Sequence, residues 1–261
     1  MKFIQTIFTV FTLYLIYAAT AAAHFGMVIP SSNIVGQEQK NISVTLSFSH
    51  PFEGIGMDME KPKAFYVIKD GKKTDLLSIL QKTTVMGHQA WSSSQNIKFP
   101  GVYHYVMEPV PYWEEAEDLF IIHYTKTIIA AFGEDSGWDQ PVGLPTEIVP
   151  LLRPYGNYAG NSFVGQVLLN GAPAAQSEVE VEFYNEDKSV GHTSDYHITQ
   201  VVKTDDSGIF TFSCPMAGWW GFSALNEADY TIKRPDNSEK TVELGAVLWV
   251  YFNGVKQMDA K

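Results

Sequence analysis

The run Asn41-Ile-Ser-Val-Thr-Leu-Ser-Phe48 alternates strictly between apolar and polar residues. On a β-strand this puts Ile42, Val44, Leu46 and Phe48 on one face, where they need a core, and leaves the other face polar. Similar runs recur along the chain, at residues 65–68, 102–107, 120–129, 163–169, 179–184, 197–202, 209–212 and 242–252, all rich in Val, Ile, Thr, Tyr and Phe. Between them stand turn sequences such as Lys69-Asp-Gly-Lys72, Asn170-Gly171 and Asp205-Asp-Ser-Gly208. Helical periodicity is nearly absent; only residues 75–80 suit a short helix, and a strand suits them equally. Short strands about ten residues apart with Asn-Gly turns predict an all-β chain of the β-sandwich kind.

Prolines 141, 145, 150 and 154 fall within one short segment, where they interrupt regular ladders. We place a linker near residues 150–160. The expected organisation is an N-terminal β domain over residues 24–150 and a C-terminal Ig-like or prealbumin-like β-sandwich over residues 160–255.

Ahead of these strands, Lys2 is followed by an apolar run to Tyr17 and by the small residues Ala21-Ala22-Ala23. This is the pattern of a secretory signal peptide spanning residues 1–23, too short for a comfortable membrane span of about 20 residues; retention as an anchor is the alternative. Removing Lys2 makes the formal net charge of −11 one unit more negative. An acidic chain suits cations and disfavours nucleic acid or anionic lipid. The single cysteine, Cys214, forbids an internal disulfide and reads as a small core residue.

Cleavage after Ala23 makes His24 the first residue. Its free α-amine and imidazole Nδ1 can then close a six-membered chelate ring on one ion, a donor set that suits nickel or copper. A hairpin centred between residues 104 and 123 would make His104 and His123 direct cross-strand neighbours, with Cβ atoms roughly 4.5–5.5 Å apart; a one-residue slip would separate them onto opposite faces. His50 opens a glycine-containing loop that also carries Met57 and Met59; those thioethers read as packing rather than copper(I) ligands. The candidate metal residues are therefore His24, His50, His104 and His123, with His88, His192 and His197 as surface residues. The acidic run from Glu114 to Asp118 reads as a solvated loop. No nucleophile, phosphate-loop or zinc-protease motif occurs, so an enzyme is not expected.

The stretches Ala23-His-Phe-Gly-Met-Val-Ile-Pro30, His50-Pro-Phe-Glu-Gly-Ile-Gly-Met57, Pro100-Gly-Val-Tyr-His-Tyr105, Thr204-Asp-Asp-Ser-Gly208, Ala217-Gly-Trp-Trp-Gly-Phe222 and Leu244-Gly-Ala-Val-Leu-Trp249 resemble periplasmic nickel uptake proteins that accompany energy-coupling-factor type transporters. The resemblance spans the mature chain. It implies a non-enzymatic periplasmic protein that captures Ni²⁺ or Co²⁺ for a membrane nickel/cobalt transporter, with His24 as a ligand; no polysaccharide partner is expected. The competing classes are a periplasmic copper protein or histidine-brace copper monooxygenase, and a structural surface module.

Overall fold

The computed structural model describes residues 23–256. The expected signal peptide, apart from Ala23, lies outside the described residues, as do residues 257–261.

The chain is all-β, as the alternation predicts, and its sheets pack as two sandwiches. One long sheet runs through both. Its order is Gln200–Lys203, Glu178–Phe183, Gly218–Glu227, Val242–Asn253, Leu119–Ala131, Gly101–Glu108, Ala64–Lys69 and Lys72–Asp75. Antiparallel pairing prevails within each half, and the halves join where Leu119–Ala131 runs parallel to Val242–Asn253, in register from Phe120↔Val242 to Thr127↔Trp249. A smaller sheet, ordered Phe25–Pro30, Asn41–His50, His88–Asn96 and Gln81–Val85, packs on the N-terminal half. A third, built on Thr146–Pro150, Ser162–Leu169 and Ile209–Ser213, packs on the C-terminal half.

The strand period of two decides which core each residue joins. In Leu119–Ala131, Ile121, Ile129 and Ala131 face Leu46, Phe48 and Tyr105, whereas Ile128 and Ala130 face Phe163, Phe222 and Leu248. The two smaller sheets thus cover opposite faces of the large one.

Several elements differ from the sequence reading. Residues 75–80 give a strand end and a 3-10 turn, Leu77–Ile79. The proline-rich segment contains the Thr146–Pro150 strand, because Thr-Glu-Ile-Val between two prolines is itself free of proline. His197 ends a short 3-10 turn, and its strand begins at Gln200.

One polar link crosses the apolar interior. Lys126, 1% exposed, points to the C-terminal side of the large sheet, and its Nζ donates to Glu147 Oε2 at 2.6 Å. Glu147 also accepts from the amides of Val142 and Gly143, which ties the proline-rich segment to the sheet. Removing one partner of such a buried pair strands the other charge, at a cost of roughly 3–5 kcal/mol. Urea unfolding of Lys126→Met should show a loss of that order; a variant as stable as the wild type would contradict the assigned role of the pair.

Candidate functional site

The Phe25–Pro30 strand sets the site. It pairs antiparallel with Asn41–His50 from Pro30↔Val44 to Phe25↔Ser49, and continuing that register by one residue places His24 opposite His50. The two rings lie 4.6 Å apart between centroids, tilted by 51°. A cross-strand histidine pair therefore exists, but it joins His24 to His50. The hairpin pairing expected for His104 and His123 does not occur, since His104 pairs with Ile128, five residues beyond His123. An odd offset also puts the two side chains on opposite faces of the sheet. The physical reason lies in the connecting segment, which forms its own short strand, Tyr112–Glu114, on the first residues of Leu119–Ala131. Gly101–Glu108 is thereby displaced to the far end. His104 is buried with Nε2 at 3.0 Å from the carbonyl of Gly137, and burial holds it neutral down to a pKa of about 4.

Around the His24–His50 pair the structure gathers His123, Glu114 and Glu243. His24 stacks on Phe48 at 5.5 Å and lies 5.9 Å from Tyr112. Its Nε2 is 3.0 Å from Glu114 Oε2. Burial, reinforced by His50, lowers the His24 pKa to about 4 against the opposing pull of Glu114, so the ring is neutral at physiological pH and has one N–H. A carboxylate only accepts, so that proton sits on Nε2 and leaves Nδ1 with its lone pair. His50 Nδ1 lies 2.9 Å from the Ala23 carbonyl; that oxygen also only accepts, which leaves His50 Nε2 as the free nitrogen. Carboxylates and carbonyls hold metal-binding imidazoles in the same way.

His123 is 2% exposed and braces the N-terminal strand. Its Nδ1 accepts the Gly26 amide at 3.3 Å, and its Nε2 is 3.4 Å from Glu243 Oε1. Both ring nitrogens are therefore engaged. Gly245 makes room for this ring, since a Cβ there would lie 2.2 Å from His123 Cδ2, and Gly26 makes room for the neighbouring Thr125, whose Oγ1 would lie 2.3 Å from a Cβ on Gly26. Among the described residues, no three His, Cys, Asp or Glu side chains already converge as ligands on one point. A cavity of about 300 Å³ adjoins the cluster around His24 and His50, lined by Phe48, Met59, Met107, Tyr112 and His123 among others.

The remaining candidates lie elsewhere. Met57 and Met59 pack in the N-terminal core. His88 pairs with Asp58, and His192 and His197 are partly exposed near the 3-10 turn. Cys214 is fully buried, and burial pushes its thiol pKa up. Sequence reading missed Glu114, Glu243, Gly26 and Gly245. Glu114 was hidden inside a run that looked like solvated loop, and the two glycines were visible only as parts of the His-Phe-Gly and Leu-Gly-Ala stretches.

A model of the family described as a domain of unknown function, DUF4198, matches residues 21–228, and the chain belongs to that family. No curated protein matches it. Solved structures with likeness include the D0-D1 domain of intimin, at 10% identity, 88% of this chain, 100% of that chain and a TM-score of 0.24. A titin Z1Z2 chimera carrying a decorin peptide gives 11% identity, 90% and 98% coverage and a TM-score of 0.23. Superpositions this loose carry no argument about the present chain.

Two outcomes follow from the packing and the charge of the site. Gly245→Ala should displace the His123 ring and lower the melting temperature by several degrees, corresponding to roughly 1–3 kcal/mol of overpacking, while Gly191→Ala, where a Cβ meets open space, should leave it unchanged; equal melting temperatures would contradict the close approach. Glu180, near Glu243 and Glu182, has its carboxyl pushed up to about 8 by burial and by those charges. The folded state then keeps a proton that the unfolded chain releases near its ordinary value of 4.5, so stability is full below that pH and declines as pH rises toward 8. Chemical denaturation across this range should show Glu180→Gln gaining on the wild type as pH increases. A constant difference would contradict the assignment.

Proposed function

We propose that this DUF4198 protein is exported and captures a divalent transition metal, Ni²⁺ or Co²⁺, for delivery to a membrane nickel/cobalt transporter of the energy-coupling-factor type. The observation that carries the reading is the cross-strand pairing of His24 with His50, their rings 4.6 Å apart, at the residue where signal cleavage would leave a free amine.

The Ala23 carbonyl that receives His50 Nδ1–H belongs to the peptide bond cleaved in maturation. Cleavage exchanges that carbonyl for an α-amine on the same backbone nitrogen, beside His50. His50 Nδ1 thereby loses the acceptor that fixed its tautomer and stands next to the new amine, so that three nitrogens can serve one ion: the amine, His24 Nδ1 and an imidazole nitrogen of His50. Nitrogen donors of this kind favour Ni²⁺ and Cu²⁺ over harder cations. Glu114 holds the His24 tautomer, His123 holds the backbone of Gly26, and the carboxylates of Glu114 and Glu243 attract a cation. His104, on the opposite face, has no part in the site.

A second reading is favoured by the same pair. One terminal histidine and one further imidazole form the donor set of a histidine brace, and copper stands above nickel in the usual order of affinities. A copper carrier or copper monooxygenase is therefore the alternative, and the metal content of protein purified from its native compartment separates the two.

Calorimetric titration with NiCl₂ of protein beginning at His24 tests the site. His24→Ala and His50→Ala should each weaken binding at least tenfold, about 1.4 kcal/mol, as should one extra alanine ahead of His24, which turns the amine into an amide. His104→Ala should bind as the wild type does. Undiminished binding by His50→Ala and by the extended chain would overturn the reading.

A further inference from the structure

The turn that carries His50 is held from the other sandwich. His50 ends its strand, and residues 51–54 form a tight turn closed by the Gly54 amide on the His50 carbonyl at 3.0 Å. Such a hairpin tip at a sheet end is ordinarily one of the more mobile parts of a fold. Here the Phe52 amide donates to Glu182 Oε2 at 3.2 Å, the Phe52 carbonyl accepts from Asn185 Nδ2 at 3.1 Å, and the Pro51 carbonyl accepts the Asn185 amide at 3.2 Å. Glu182 and Asn185 are 1% and 3% exposed. Both lie at or just beyond the end of Glu178–Phe183, a strand of the C-terminal half of the large sheet. Asn185 also closes its own loop, bonding Val190 through both side-chain atoms, and Thr199 donates to the second oxygen of Glu182.

We propose that Glu182 and Asn185 are positioning residues for metal capture: they fix the Pro51–Phe52 backbone so that His50 faces the mature N-terminus, and they make the C-terminal sandwich part of the determinant of metal affinity. This rests on the reading of His24 and His50 as ligands. Simple packing does not account for the clamp. Burying a carboxylate is costly, and burial raises the pKa of Glu182 to about 7 against the pull of its two hydrogen-bond donors. An apolar side chain would fill the same space without that cost, and what the carboxylate adds is a directed acceptor for one backbone amide. Groups that orient a metal ligand in this manner change affinity by about 10- to 100-fold when removed.

The test is a double-mutant cycle on the full mature chain, titrated with NiCl₂ and accompanied by melting temperatures of the metal-free proteins. Asn185→Ala and Glu182→Met should weaken nickel binding by about tenfold or more. The loss should vanish when His50 is already Ala, since the clamp acts through that ring; a merely structural effect would add to the loss from His50→Ala instead. Glu182→Met keeps the approximate size and removes both the acceptor and the buried carboxylate, so it remains informative if Asn185→Ala fails to fold. Wild-type protein that binds no nickel, or binds it without His50, sinks the ligand reading and this inference with it. Wild-type binding that depends on His50 yet is unchanged in both clamp variants, or losses that are fully additive, overturns the clamp alone.

Discussion

Among the described residues, the Phe25–Pro30 strand has a strand neighbour on one edge only. Its other edge is satisfied by side chains rising from the large sheet: Gly26 N–H by His123 Nδ1, the Gly26 carbonyl by the Trp249 indole at 2.8 Å, and the Val28 carbonyl by the Thr127 hydroxyl. Buried backbone groups left without partners would each cost about 1–3 kcal/mol, so the three contacts together admit one register. That register places His24 against His50. Both faces of the strand are covered as well, Val28 in the core with Leu46 and Phe48, Phe25 and Met27 in a separate one with Val247 and Trp249. The strand is thereby held on both faces and along both edges.

This arrangement needs both halves of the chain. His123 and Thr127 come from the N-terminal half, Trp249 and Gly245 from the last strand, and they meet because Leu119–Ala131 and Val242–Asn253 lie side by side and parallel. The same junction brings Glu243 to His123. Two sandwiches sharing one sheet therefore form a frame that a single sandwich would lack. His24 sits where the two halves meet.

Much of this was legible in the residues. Alternation located Asn41–His50, and richness in Val, Ile, Thr, Tyr and Phe located Leu119–Ala131 and Val242–Asn253, to within a few residues at each end. Phe25–Pro30 gives neither signal: it is buried on both faces and so does not alternate, and Gly26, Met27 and Pro30 dilute its β-forming residues. Without that strand, the cross-strand argument could be applied only to His104 and His123, where the intervening Tyr112–Glu114 strand displaces the register. The cross-strand histidine pair exists, on a different pair of strands. The carboxylates could not be found from sequence, because Glu114 lies 90 positions beyond His24 and differs from its acidic neighbours only in where its strand points it. Gly245 likewise acquires meaning only once the His123 ring is seen lying over it.

The account stands on a metal held by the first residue of the mature chain and by His50. Anomalous diffraction at the nickel edge, from crystals of protein beginning at His24 and grown with NiCl₂, tests this most directly. The expected result is one dominant peak within about 2.1 Å of the terminal amine, His24 Nδ1 and one imidazole nitrogen of His50, a usual metal–nitrogen distance, with Glu114 still bonded to His24 Nε2. A dominant peak at His104, at His88 with Asp58, or at carboxylates alone would contradict it.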